Sequence, residues 1–202
     1  MGKLIPITFL TLDGVMQAPG GTEEDPSGGF AYGGWQVPFE DEEANTFITE
    51  AFDRVGAFLL GRRTYDIFSG YWPKQTDPDN AIAAKLNTLP KYVASTTLKD
   101  PEWAGTTVLG PDLEAEIARI KESTDGEVHI WGSGELVGWL LARGLIDELN
   151  LMVYPVVLGA GRRLFPGGGE PTTFEVTASR TTAVGVAIHT YRPAGRATFG
   201  TY

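Results

Sequence analysis

Two kinds of hydrophobic spacing alternate along the first two-thirds of the chain. Short continuous apolar runs, bounded by glycine or Asp-Gly, predict buried strands at 3–14 (KLIPITFLTLDG), 56–61, 90–96, 105–110, 126–132 and 146–159. Between them, apolar residues recur every three or four positions, the spacing of one helical face. Over 42–55 that face is Ala44, Phe47, Ile48, Ala51, Phe52 and Val55. Further helices are predicted from Arg62, where Thr64 is placed to cap, over 78–89, over 112–123 behind Asp112 as N-cap, and over 133–144 up to Gly144. Two consecutive strand-like runs, 172–182 and 183–193, finish the pattern.

Strand and helix in alternation imply an α/β fold with a mainly parallel sheet and helices on both faces. The closing pair of strands adds an antiparallel end. Residues 1–193 read as one domain and 194–202 as a loose tail. The stretch 15–41 is dense in glycine and proline, has little periodicity and exceeds an ordinary connection, so it reads as functional or disordered, with residues 15–35 expected to order over bound ligands.

Composition narrows the class. The 202 residues suffice for one domain with a sizeable core, and 42% hydrophobic with 21% charged content is that of a soluble globular protein. With 26 acidic against 16 basic residues the net charge is -10, which repels nucleic-acid phosphates, so no nucleic-acid partner is expected. A local arginine cluster can still hold a small anion. The absence of cysteine removes disulfides, thiolate catalysis and the usual structural zinc sites, and no metal site is predicted. The opening MGKLIPITFLTLDG is too short an apolar run for a signal peptide or a membrane span, so a cytoplasmic protein without a membrane partner is expected.

Three predicted strand ends carry candidate chemistry. HIWGSGEL (129–136) runs from a strand through Gly132-Ser133-Gly134 into a helix, the context in which free helix N–H groups meet a phosphate. Its G-x-G-x-x-x-G spacing misses the dinucleotide fingerprint, which leaves a phosphate turn and a plain tight turn both open. LLGRRTYD (59–66) places Arg62 and Arg63 at a helix start, where positive charge is disfavoured unless an anion is present. YVASTTL (92–98) offers Ser95 and Thr96 at a third strand end. In a parallel sheet these ends share one edge, and a nucleotide cofactor suits three convergent sites better than three unrelated turns do.

In chain order, TLDGV (11–15), GGW (33–35), LLGRRTYDIF, KYVASTTL, HIWGSGELVGWLL, DELNLMVYPVVLGAGRRLF and HTYRP resemble the dihydrofolate reductase fold. More closely, they resemble stand-alone proteins similar to the C-terminal reductase domain of the bifunctional riboflavin-biosynthesis deaminase-reductase. The resemblance spans nearly the whole chain. It implies a reductase of the 5-amino-6-(5-phosphoribosylamino)uracil reductase type, with NADPH as cofactor, a small heterocyclic or carbonyl substrate, and a homodimer. Gly61, Arg62, Arg63 and Thr64 would then hold cofactor phosphates, with Ser95 and Thr96 near the adenosine 2′-phosphate. Gly132, Ser133, Gly134, Glu135 and Leu136 would take the pyrophosphate and approach the nicotinamide. Gln17, Trp35 and Asn45 would line the substrate side.

Two departures from the family pattern matter. Dihydrofolate reductases carry a carboxylate on the first helix, where an ungapped count back from Gly61 places Asn45, an amide, with Glu42, Glu43 and Glu50 nearby; a dihydrofolate reductase is the third reading and stands or falls on that position. The zinc deaminase half of the bifunctional enzymes is missing. Asp13 is the candidate catalytic acid, its other reading being an Asx-type cap of the turn into Gly14. His129 and His189 sit mid-strand among apolar residues and read as structural, and Trp131 and Trp139 read as core. GAGRR (159–163) reads either as a loop beside the substrate or as a basic turn. The alternative to an enzyme is a non-catalytic nucleotide-binding module of the same fold.

Overall fold

The apolar runs assemble into one eight-stranded sheet in the computed structural model, which describes residues 1–201. The strands are β1 (Lys3–Thr11), β2 (Val55–Gly61), β3 (Lys91–Ala94), β4 (Thr106–Val108), β5 (Glu127–Trp131), β6 (Leu149–Tyr154), β7 (Thr172–Thr181) and β8 (Ala187–Arg196), in the spatial order β4-β3-β2-β5-β1-β6-β8-β7. β1 to β6 pair in parallel, and β8 runs antiparallel to both β6 and β7. The five helices are α1 (Glu42–Arg54), α2 (Arg62–Tyr71), α3 (Ala81–Thr88), α4 (Leu113–Ser123) and α5 (Gly134–Ala142). The mixed, mainly parallel α/β architecture expected from the spacing is the one observed.

Strand alternation divides the core between the two sheet faces. On β1, Leu4 and Leu10 pack with Ile117 and Ile120 of α4 and with Leu136, Val137 and Leu140 of α5. Ile5 and Ile7, one position out of phase, pack with Ala51 and Phe52 of α1, Tyr65 of α2 and Leu86 of α3. The parallel strands end on one edge at Thr11, Gly61, Ala94 and Trp131, so every connection that leaves this edge borders the same space.

Two boundaries differ from the sequence reading. β6 stops at Tyr154, because Pro155 cannot continue the ladder and residues 155–159 bend away to meet the β1 turn. β8 continues to Arg196, held by pairing with β7 as far as Thr172↔Arg196, so the last strand reaches beyond residue 193. Among the described residues no helix is long and apolar enough to cross a membrane.

Candidate functional site

The strand-end edge opens into a cleft of about 1640 Å³, larger than the ~300–1,000 Å³ usual for a single small ligand. The site has two lobes. One is built from the glycine turns, Gly61–Thr64 and Gly132–Leu136, with Trp139, Arg162 and Arg163. The other is apolar and aromatic: Ile7, Phe9, Ile48, Phe52, Ile67, Phe68, Tyr71, Trp72, Ile82, Leu86 and Trp131. Residues 16–25 border the same cleft as a covering loop.

The glycine turns are braced against each other. The Ser133 backbone N–H donates to Thr64 Oγ1 at 3.0 Å, and the Gly61 N–H donates to Ser133 Oγ at 3.0 Å. Ser133 Oγ in turn donates to the Trp131 carbonyl at 3.1 Å. The brace requires a left-handed backbone at both Gly132 (φ +57°) and Ser133 (φ +53°). A Cβ at Gly132 would sit 3.1 Å from Thr64 Oγ1, so glycine there also permits the close approach. Thr64 therefore does not cap α2, as the sequence suggested; its hydroxyl joins the two turns.

Helix capping separates this edge from the rest of the molecule. α1, α3 and α4, which start elsewhere, are each capped by a side chain, from Asp41, Asn80 and Asp112. α2 and α5 start at Gly61 and Ser133 without a side-chain cap. Their first-turn amides, with the positive ends of two helix dipoles, are left to the cleft. Arg62 forks onto Asp66 with both contacts at 2.9 Å and reaches Thr97 Oγ1 at 3.3 Å. Arg63 is exposed and has no ion-pair or side-chain hydrogen-bond partner among the described residues. Ser95 and Thr96 do not line the cleft. Ser95 Oγ accepts from the Thr97 and Leu98 amides, closing the turn after β3, and touches the site only through the Thr97–Arg62 contact.

The other predicted residues are placed differently. Asp13 lies outside the cleft, and its carboxylate is fully engaged. Thr11 Oγ1 donates to it at 2.6 Å, the Leu158 and Gly159 amides donate at 3.2 and 2.9 Å, and Arg163 pairs with it at 3.3 Å. The Thr11 hydrogen bond above all holds the carboxyl well below the usual carboxylate range. Asp13 is thus a pin between the β1 turn and the 155–163 loop; it does not cap the turn into Gly14, where the Val15 amide donates to Thr11 Oγ1 instead. Gln17 borders the cleft, but its amide is satisfied by backbone. Nε2 donates to the Asp25 and Ser27 carbonyls at 3.0 Å, and Oε1 accepts from Arg162 N at 3.0 Å. Trp35 is buried beneath the loop, where Nε1 donates to the Gln17 carbonyl at 2.7 Å, and its neighbour Gln36 lines the cleft instead. These contacts, with an Arg162–Asp25 ion pair, fold the glycine-rich loop against residues 161–163.

Asn45 is exposed and borders a separate surface pocket with Glu40, Asp41, Glu42, Thr46, Thr49 and Glu50. The α1 side chains that face the cleft are Ile48 and Phe52, both apolar. No α1 carboxylate is therefore available to the cleft for the role one plays in dihydrofolate reductases. Trp131, buried in the core as expected, and Trp139, packed against the core, also form cleft walls. Trp131 stacks on Phe52 at 5.1 Å and meets Phe9 edge-on at 5.9 Å. Its Nε1–H, like Thr8 Oγ1 and Gln36 Oε1, is buried with no partner among the described residues, a state that costs on the order of 1–3 kcal/mol per group.

Known proteins share this fold. The uncharacterized Bacillus subtilis protein YyaP is 26% identical over 195 residues, covering 94% of each chain. A solved protein of Shewanella sp. PV-4, assigned to riboflavin biosynthesis, superposes with a TM-score of 0.68 at 21% identity, over 96% of this chain and 99% of that one. Dihydrofolate reductase of Enterococcus faecalis, solved with NADP(H), gives a TM-score of 0.58 at 16% identity, over 96% and 97%. The profile of the RibD C-terminal domain matches residues 3–188, so the chain belongs to the RibD C-terminal domain family.

Proposed function

We propose that the protein is an NADPH-dependent reductase of the riboflavin-biosynthesis reductase type, acting on a small heterocyclic or carbonyl substrate. The observation that carries this reading is the pair of uncapped helix starts, α2 and α5, locked together by Thr64 and Ser133 on one cleft. Two sets of free amides at fixed separation suit the phosphates of a dinucleotide, and the dihydrofolate reductase that shares the fold was solved with NADP(H). Arg63, exposed at the mouth and unpaired, is the cation best placed for the additional phosphate that distinguishes NADPH from NADH. Arg62 contributes by releasing or sharing Asp66.

When bound, the cofactor supplies the hydride. The chain holds it with the glycine-turn amides and excludes water with the loop over 16–25. It positions a second molecule against the aromatic lobe. The cleft volume accommodates both. The absence of a cleft-facing α1 carboxylate argues against dihydrofolate as substrate.

Titration of the protein with NADPH and NADH tests the reading. NADPH binds the tighter of the two, and Arg63→Ala weakens NADPH by about 10–100-fold, the loss of one charge-assisted contact, while leaving NADH nearly unchanged. Equal, weak binding of both cofactors by the unaltered protein overturns it.

A further inference from the structure

Oxidisable sulfur is scarce in this chain, and one such atom rests on a cofactor turn. There are three methionines and no cysteine. Met1 is exposed at the N-terminus and Met152 is fully buried in the core. Met16, half-buried, lines the cleft from the covering loop. Its side chain lies against the turn that starts α5. A Cβ at Gly134, the first residue of that helix, would fall 2.7 Å from Met16 Sδ and 3.5 Å from its Cε. Glycine at 134 is therefore what lets the thioether lie so close to the helix start. The main chain around Met16 is fixed. Val15 bridges to Arg163, the Met16 N–H donates to the Arg162 carbonyl at 2.8 Å, and the Arg162 N–H donates to Gln17 Oε1 at 3.0 Å. The fold thus delivers this one sulfur to the α5 turn.

The thioether touches the turn without satisfying it. The Ser133 N–H is taken by Thr64 Oγ1, and the first bond of the helix runs from the Val137 N–H to the Ser133 carbonyl. The Gly134, Glu135 and Leu136 amides between them find no acceptor among the described residues, and no side chain caps α5. Thioether sulfur is a weak acceptor, so these donors stay available to an anion. A sulfoxide is different. Oxidation makes the side chain polar and puts a negatively polarised oxygen on the same sulfur. At Met16 that oxygen faces the positive end of the α5 dipole and competes with a phosphate for the free amides.

We propose that Met16 is a modification site: a peroxide converts it to the sulfoxide, whose oxygen caps the α5 amides and weakens the hold of the cleft on the cofactor phosphates. In that step the sulfur lone pair attacks one oxygen of hydrogen peroxide and the O–O bond breaks. The other oxygen leaves as water with both protons, so sulfur is oxidised and the peroxide reduced. Protein methionine sulfoxide reductases reverse the change. This rests on the reductase reading, to which it adds a regulation of the same site.

Treatment with hydrogen peroxide, with peptide mass spectrometry to score each methionine, tests it through two readouts. Titration with NADPH gives a Kd about 10-fold weaker after oxidation, the loss of a hydrogen bond to a charged phosphate. Hydrogen exchange followed by NMR in the cofactor-free oxidised protein slows at the Gly134, Glu135 and Leu136 amides, which have gained an acceptor. Met16→Leu, which keeps the oxidisable Met1, shows neither change when treated, and sulfoxide reductase reverses both in the unaltered protein. Met16→Gln, which carries an amide oxygen in place of the thioether, weakens NADPH several-fold without peroxide and serves if oxidation unfolds the chain. Met16 that stays reduced while Met1 is fully oxidised overturns the proposal. An unchanged NADPH Kd after complete oxidation of Met16 does so as well. Unchanged or faster exchange at the three amides also overturns it, the faster rate marking a loop that has only opened. Failure of the untreated protein to bind NADPH sinks the reductase reading and leaves exchange in the free protein to decide this one.

Discussion

Ser133 gives the sharpest test of the brace between the two cofactor turns. Ser133→Ala removes the Oγ that accepts from Gly61 N and donates to the Trp131 carbonyl, while keeping a side chain in the left-handed region. Two hydrogen bonds at about 0.5–1.5 kcal/mol each put the loss at roughly 1–3 kcal/mol. For a chain of this size, with Tm moving about 2–4 °C per kcal/mol, that is a fall of several degrees. Ser133→Gly loses the same bonds but relieves the left-handed strain, about 1–2 kcal/mol, against a glycine entropy cost of about 0.5–1 kcal/mol. The glycine variant is therefore the milder of the two by up to about 1.5 kcal/mol, the reverse of the order expected at an ordinary buried site. Urea unfolding followed by tryptophan fluorescence reads both as shifts of the midpoint at constant slope. NADPH affinity falls in both variants, because the two sets of amides are no longer held at a fixed spacing. Ser133→Ala unfolding at the unaltered midpoint, or Ser133→Gly proving the more damaging, refutes the reasoning.

Other expectations follow from individual side chains. Lys91 is fully buried, donating to the Leu86 and Leu89 carbonyls over the Trp103 ring, and burial pushes its pKa down to about 8 from 10.5. The unfolded chain then binds more protons between those values, so stability rises as pH climbs from about 8 to 10.5, by at most about 3 kcal/mol. Lys91→Met flattens that rise in thermal melts taken across the range. Asp13→Asn unpins the 155–163 loop, read as faster hydrogen exchange at the Leu158 and Gly159 amides. Because the Asp13 pKa is depressed, its contribution in the unaltered protein is fully present above the ordinary carboxylate pKa of 3.8 and is lost progressively as pH falls below it. Gln17→Ala removes the bonds to Asp25, Ser27 and Arg162 that hold the covering loop in place, raising the substrate KM and speeding amide exchange over 17–27, with little change in NADPH affinity.

The parts of the fold that were legible in the sequence are those whose cause is local. Helix and strand spacing, the Asp112 cap and the glycines at strand ends each depend on residues within a few positions. With parallel strands inferred, those glycine turns also had to share an edge. What stayed hidden depends on partners far along the chain. Thr64 looked like a cap for its own helix, yet its hydroxyl serves Ser133, 69 positions away. Asp13 and Gln17 looked like site residues, yet the amides that occupy them come from Leu158 and Arg162, 145 positions away. A short polar side chain near a turn reads alike whether it serves a ligand or a distant loop, since only the fold says which donors arrive. Trp131 shows the converse. Strand alternation places it on the same face as His129, and that face is core, so a structural reading was the natural one. But Trp131 is the last residue of β5, paired with Ile7, at the register position where the sheet ends and the cleft begins. A side chain there belongs to core and wall together.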